Sequence, residues 1–462
     1  MPVPMADRPS MASPLRSLLA DMRAGRCAPE ALAEEALERA EASGLGSYRE
    51  IRGEAARREA TAAAAVLAAG RDPGPLLGVP VSIKDLYGLP GSRTFAGTVE
   101  ALPERFERAG PVVANALAQL AVVTGKTHTV ELAFGGIGMN SHWGTPRNPH
   151  DPKEHRVPGG SSSGAGTSLC EGSAKIAFGT DTAGSVRIPA AWTGQVGVKT
   201  TKGRWSTEGI VPLSTTLDTP GVLAGSVDDA VVAFAALDGP AAGFPDRLAR
   251  IDGGRGRSVR LAVPPQVFWE DCSPGVAEAV EAAVARIAAR PGVVTEERGL
   301  GGLEAAEALF GVGGPTAIEL HRFLDAELPD RFARLDPLVR DRVAAAGDVP
   351  AGEYIRRLDG LAGAHRAAMA SFGPVDAFLT PTVAITPPPV STLSESLDAY
   401  RRQNVLTLRN PGLVSFLGLC AVSLPCGRDR AGMPVGLQIV GPAGSEERLL
   451  SLAADLEATA LG

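Results

Sequence analysis

The sequence has no stretch of 18 apolar residues, so no membrane-spanning helix is expected. It has no run of five or more like charges, and its formal charge is −7 at pH 7. That balance argues against nucleic acid as the main partner, because phosphate binding needs clustered Lys and Arg. Cysteine is sparse. The five residues, Cys27, Cys170, Cys272, Cys420 and Cys426, are odd in number, widely spaced and without metal-type pairing. They read as reduced thiols of a cytoplasmic protein. Residues 1–14 contain Arg8 but no apolar core of a secretory signal, which gives the same expectation. The six histidines form no H-E-x-x-H motif, so no metal site is expected. No internal repeat is found.

What remains is a chain of 462 residues, 44% hydrophobic and 21% charged, the balance of a globular enzyme. Residues 1–14 read as a flexible N-terminus. Helical patterns cover Pro14 to Gly25, Pro29 to Ser43 and Glu54 to Ala69, filling the region 15–70. From there helix and strand alternate, an α/β rhythm. Leu76 to Asp85 reads as a short buried strand running into a loop, and strands are predicted at Ala121 to Thr124, Val259 to Val263, Ala421 to Leu424 and Val435 to Val440. Phe378 to Pro381 is read as the end of a strand near the surface. Residues 303–345 read as mainly helical, and Ser445 to Ala460 as a closing helix capped by Ser445.

Residues 135–221 are dense in Gly, Ser, Thr and Pro. The apolar runs Ile176-Ala177-Phe178 and Val196-Gly197-Val198 argue against a linker. The segment reads as backbone packed tightly around a site. Within it lie Gly159-Gly160-Ser161-Ser162-Ser163-Gly164 and Gly179-Thr180-Asp181-Thr182-Ala183-Gly184-Ser185. Serine is a poor nucleophile unless a neighbour takes its proton. Gly184 beside Ser185 would free backbone N–H groups to face a developing oxyanion. Taken singly, such a turn is more often only a flexible turn. Gly160 to Gly164 matches G-x-S-x-G, but the polar stretch before it, ending in Pro158, is no nucleophile-elbow strand. Gly125-Lys126-Thr127 resembles the end of a P-loop, yet Leu120 stands where the earlier glycine is required.

Lys84 follows the apolar run Val79 to Ile83, so its stem enters the interior. Burial lowers the pKa of an ammonium and makes a neutral lysine available as a base. From the run alone, a lysine paired with Asp85 or another carboxylate is the more ordinary reading.

Together these residues resemble the amidase-signature family. Gly78 to Asp85 is similar to its lysine motif, and Gly159 to Gly164 with Gly179 to Ala190 to its signature. Weaker matches are Lys126-Thr127, Glu131, Phe134-Gly135, Asn140, Gly144, Asn148-Pro149, Thr216 to Gly221, Leu379 to Thr382 and Pro434 to Gln438. The resemblance implies a single large α/β/α layered domain over residues 15–462, with a central mixed, twisted β-sheet covered by helices. Residues 71–230 would form the catalytic core. Residues 303–410 would form a variable, mostly helical region shaping the substrate pocket.

The resemblance also implies roles. Ser185 is the acyl nucleophile. Ser161, 24 residues earlier and joined to Gly160 by a cis peptide bond, relays its proton, and Lys84 is the base. The oxyanion hole is Thr182, Ala183, Gly184 and Ser185, and the acyl pocket includes Ala133, Gly136 and Ile137. No cofactor is implied. Ala183, Thr200, Thr201, Ser415 and Cys420 depart from the family pattern without touching the triad.

The leading expectation is hydrolysis of a small amide, aryl amide, carbamate or urea-type substrate, with no nucleic acid or membrane partner and a homodimer as the candidate assembly. Phe134, Ile137, Met139 and Trp143, joined by Phe310 and Phe323, would make the pocket apolar. The alternatives are the glutaminase component of a tRNA-dependent amidotransferase and a non-catalytic scaffold.

Overall fold

Alternation along the strands divides the interior into two cores. Ile176, Phe178, Val222, Leu379, Val422 and Ile439 point into one cluster, while their neighbours Ala177, Leu223, Phe378, Ala421 and Val440 point into clusters on the opposite face. Successive side chains of a strand leave opposite faces of a sheet, so apolar runs without polar interruption belong to strands covered on both sides. Each of the larger side chains buried in this way, the Val, Leu, Ile and Phe residues, contributes about 1.5–3 kcal/mol.

The computed structural model describes residues 10–265 and 267–461. Its strands are β1 (Tyr48–Ile51), β2 (Pro80–Lys84), β3 (Val122–Thr127), β4 (Ile176–Asp181), β5 (Val196–Lys199), β6 (Thr219–Ala224), β7 (Val259–Val263), β8 (Val293–Glu297), β9 (Ala377–Pro381), β10 (Cys420–Arg428) and β11 (Pro434–Gly441). They form one sheet in the order β1-β3-β2-β4-β6-β5-β10-β11-β9-β7-β8. It is mixed: β3, β2 and β4 run parallel, as do β9, β7 and β8, and the centre is antiparallel. Helices Leu15–Arg23, Val227–Leu237, Val276–Ala288 and Glu446–Leu456 cover the first face. Helices Ser163–Cys170, Arg187–Thr193, Leu303–Gly311, Ala351–Ala370 and Leu397–Phe416 cover the second. The expected layered α/β fold with a central mixed sheet is therefore the fold of the chain.

Four readings change. β9 is buried along its whole length and lies inside the sheet, rather than ending near the surface. β1, β6 and β8 are additional strands; β1 and β8 form the half-buried edges, where alternation is short and weak. Ser445 precedes its helix but does not cap it, because its hydroxyl donates to Pro442 O at 2.7 Å. Residues 1–9 of the expected flexible segment lie outside the described residues, and Met11 is buried in the first core with its N–H donating to Glu35 Oε2. Among the described residues no helix is long and apolar enough to cross a membrane.

Candidate active site

β2 and β4 are parallel neighbours, with Ile83 beside Phe178. Their carboxyl ends therefore arrive together, which is where open α/β sheets place their ligands. On β2, Val81 and Ile83 enter the first core. Ser82 and Lys84 take the other face, and Ser82 Oγ lies 2.9 Å from Ser168 Oγ of the helix there. Lys84 Nζ is hydrogen-bonded to Ser161 Oγ and to Thr180 Oγ1, both at 2.8 Å. All three side chains are buried.

The ion-paired alternative for Lys84 fails. Asp85 pairs instead with Lys126 at 2.9 Å and Arg49 at 3.1 Å, and among the described residues Lys84 has no salt bridge. This pairing also gives the buried Lys126 of the P-loop look-alike a structural role. Burial brings Lys84 down to about 7, although the charges of Asp218 and Asp181 oppose the shift.

Ser161 is held by backbone. Its peptide bond to Gly160 is cis, as the resemblance implies. Its carbonyl accepts from Val130 N at 3.1 Å, and Gly160 N donates to Gly136 O at 2.7 Å. A Cβ on Gly160 would come within 2.8 Å of Gly138 Cα, so the glycines here do permit close backbone approach. Ser162 N donates to Ser185 O at 3.3 Å and joins this loop to the second serine turn.

Ser185 sits between β4 and the Arg187–Thr193 helix. Asp181 braces that turn. It accepts Gly184 N at 2.7 Å and Val186 N at 3.2 Å, and it binds Arg187 through Nε at 3.0 Å and Nη2 at 2.9 Å. Burial alone would raise the Asp181 pKa, but Arg187, Lys199 and the Gly184 N–H together hold it near 2. Arg187 is itself fully buried and also reaches Gln438 Oε1, Pro411 O and Ser415 Oγ. Asp218 accepts Thr182 Oγ1 at 2.5 Å, and burial raises its pKa.

A cavity of about 530 Å³ opens over this turn. Thr182, Ala183, Ser185 and Ala133 line it, together with Phe134, Phe310, Phe416 and Leu408. Of the expected oxyanion donors, the Gly184 N–H is already taken by Asp181. Of the expected acyl-pocket residues, Ala133 lies on the wall. Gly136 is buried one layer back, where an added Cβ would meet Leu408, and Ile137 packs with Val157, Ile188 and Trp192. Of the expected aromatic lining, Phe134 and Phe310 are on the wall. Met139 packs with the Ile137 cluster, Phe323 sits in a separate cluster, and Trp143 is 37% exposed. A second cleft, about 600 Å³, is lined by none of the candidate residues; its Arg250 and Arg448 pair with Glu447 and Asp376.

Thr180, Asp181, Arg187, Asp218 and Asn404, which accepts Gly136 N at 2.9 Å, escaped sequence reasoning. For Asp181 and Arg187 there was a signal: opposite charges six residues apart inside a Gly/Ser/Thr-rich, otherwise apolar segment.

A solved amidase crystal structure matches the fold with a TM-score of 0.85 and 32% identity, covering 97% of this chain and 100% of that one. Such a sheet and such a site define a layered α/β hydrolase of carbon–nitrogen bonds. The chain belongs to the Amidase family, whose model matches residues 31–450. It is 50% identical over 415 residues to 2-amino-5-chloromuconic acid deaminase of Comamonas testosteroni, covering 90% of this chain and 88% of the relative. It is 30% identical to the A-type component of the glutamyl-tRNA(Gln) amidotransferase from a Synechococcus species, covering 95% and 96%.

Proposed function

We propose that this C–N hydrolase acts on a small molecule through Ser185 as nucleophile, Ser161 as proton relay and Lys84 as base. The observation carrying the reading is the 2.8 Å contact between Lys84 Nζ and Ser161 Oγ, in a buried pocket where the amine is down near 7. As Ser185 Oγ bonds to the carbonyl carbon of an amide, its proton passes to Ser161, whose own proton passes to Lys84. The oxyanion meets the backbone N–H groups of Thr182, Ala183 and Ser185. Collapse breaks the C–N bond, the amine leaves with the proton returned through Ser161, and water then hydrolyses the acyl-enzyme.

The substrate class we favour is an unsaturated amide that releases ammonia, or an unsaturated amino acid reacting as its imine tautomer. In the imine, the C=N carbon accepts Ser185 Oγ in place of an amide carbonyl, the nitrogen leaves as ammonia, and water then frees the keto product and restores the serine hydroxyl. The 50% identity to a deaminase of an aminomuconic acid supports it, as does the predominantly apolar wall. Aryl amides, carbamates and urea-type compounds share the acyl chemistry and belong in the same panel. Likeness to an amidotransferase component favours a second reading, glutaminase activity. The test is ammonia and amine release by the pure chain from 2-aminomuconate, primary amides, anilides, carbamates and glutamine. Turnover of aminomuconate or amides without partner proteins supports the first reading. Turnover of glutamine alone, and only with the other amidotransferase components added, overturns it.

A further inference from the structure

The wall of the cavity holding Ser185 carries two charged side chains, Arg342 and Arg357, and no carboxylate. They differ in what already neutralises them. Arg357 Nε pairs with Glu353 at 2.8 Å, and its Nη1 donates to Val312 O and Gly314 O. Its charge is spent on the fold. Arg342 Nε donates to Leu338 O and Nη2 to Phe134 O, each at 2.7 Å, and its guanidinium lies 4.3 Å from the centre of the Phe134 ring. Among the described residues no carboxylate comes within ion-pairing distance of it. The neighbouring Asp336 is occupied by Ser141 Oγ and Leu338 N.

Two carbonyls and an aromatic face thus hold Arg342 in one pose without cancelling its charge. Burial lowers its pKa, the mark of a cation that has lost part of its hydration. An uncompensated cation in a mostly apolar chamber is costly to maintain. A planar guanidinium is also well suited to recognising carboxylates, and partial exclusion of water strengthens that attraction.

We infer that Arg342 is a specificity residue that binds a carboxylate carried by the substrate away from the scissile bond, so that the chain selects anionic substrates over neutral ones of the same shape. The inference rests on the Ser185 reading for which cavity is used, and it deepens that reading by naming the charge of the substrate.

The test separates the two. In the Ser185→Ala protein, calorimetry measures binding of muconate and of its uncharged dimethyl ester, alone and with Arg342→Met or Arg342→Lys added. Muconate should bind at least tenfold more tightly than the ester. Arg342→Met should abolish that preference while leaving ester affinity within about twofold, and Arg342→Lys should restore part of it. Equal binding of diacid and ester, or equal loss of both in Arg342→Met, would overturn the inference. Because binding is read in a protein lacking the Ser185 hydroxyl, a wrong nucleophile would show separately, as turnover surviving Ser185→Ala.

Discussion

Asp181 and Arg187 clasp each other through two hydrogen bonds, at 3.0 and 2.9 Å, across the turn that carries Ser185, and both are fully buried. The pair has no access to water, so removing one partner strands the other. Asp181→Asn should destabilise the fold by about 3–5 kcal/mol, read as a fall in chemical-denaturation midpoint. Its carboxyl is held near 2, so its contribution is present above the ordinary aspartate pKa of about 4 and disappears as pH falls toward 2. The variant should therefore flatten the acid limb of the stability curve.

Ser185→Ala should lower turnover by a factor on the order of 10³ or more, with circular dichroism and melting unchanged, since the residue sits on the cavity wall. A fluorophosphonate should add to the parent protein at this serine, as intact-mass spectrometry followed by peptide mapping would detect. Labelling elsewhere would contradict the assignment.

In the proposed mechanism Lys84 sets the pH response. Its amine is protonated below about 7 and neutral above it, and only the neutral form accepts a proton. Activity should climb with pH through about 7, falling about tenfold per pH unit well below that point, and level off on the alkaline side. Lys84→Ala should lose about 10²–10⁴-fold and with it this limb. A flat profile between pH 6 and 9 in the parent protein would remove the lysine from the mechanism.

Gly184 has φ +120°, a region that side-chain-bearing residues rarely adopt, and a Cβ there would approach Pro411 Cγ to 2.5 Å. Gly184→Ala should displace the Ser185 turn. The expected result is a kcat loss of at least tenfold together with a lower melting temperature. Parent-like kinetics would show that the turn tolerates the shift.

The layered fold was legible because the strands Val259–Val263, Cys420–Arg428 and Pro434–Gly441 contain short apolar runs, even though Arg260 and the Gly427–Arg428 end are exposed. The proposed roles of Lys84, Ser161 and Ser185 were readable only through the resemblance of their motifs to the amidase signature, because each motif taken singly reads as an ordinary turn or an ion-paired lysine; the Lys84–Ser161 contact supports that reading. The bracing network was not readable. Whether Asp218 faces Thr182 depends on how β4 and β6 pair, which single-strand patterns do not encode, and the six-residue spacing of Asp181 and Arg187 does not by itself show that the turn after β4 folds them together. The cavity wall was only half legible for a related reason. An aromatic residue near a motif can turn either way, and Phe134 turned to the opening while Ile137 turned to the core.

Beyond Ala133 to Gly135, Leu213 and the Ser185 turn itself, the residues lining the cavity come from two helical stretches, around 310–357 and 405–416, yet the chain between them passes back through the sheet as β9, between β11 and β7. The enclosure is thus stitched to its foundation midway along its length. It cannot be transplanted between homologues as one cassette, because deleting β9 would detach β7 and β8 from the remaining eight strands. Recombination that seeks new selectivity in this scaffold should exchange the two stretches independently and leave Ala377–Pro381 in place.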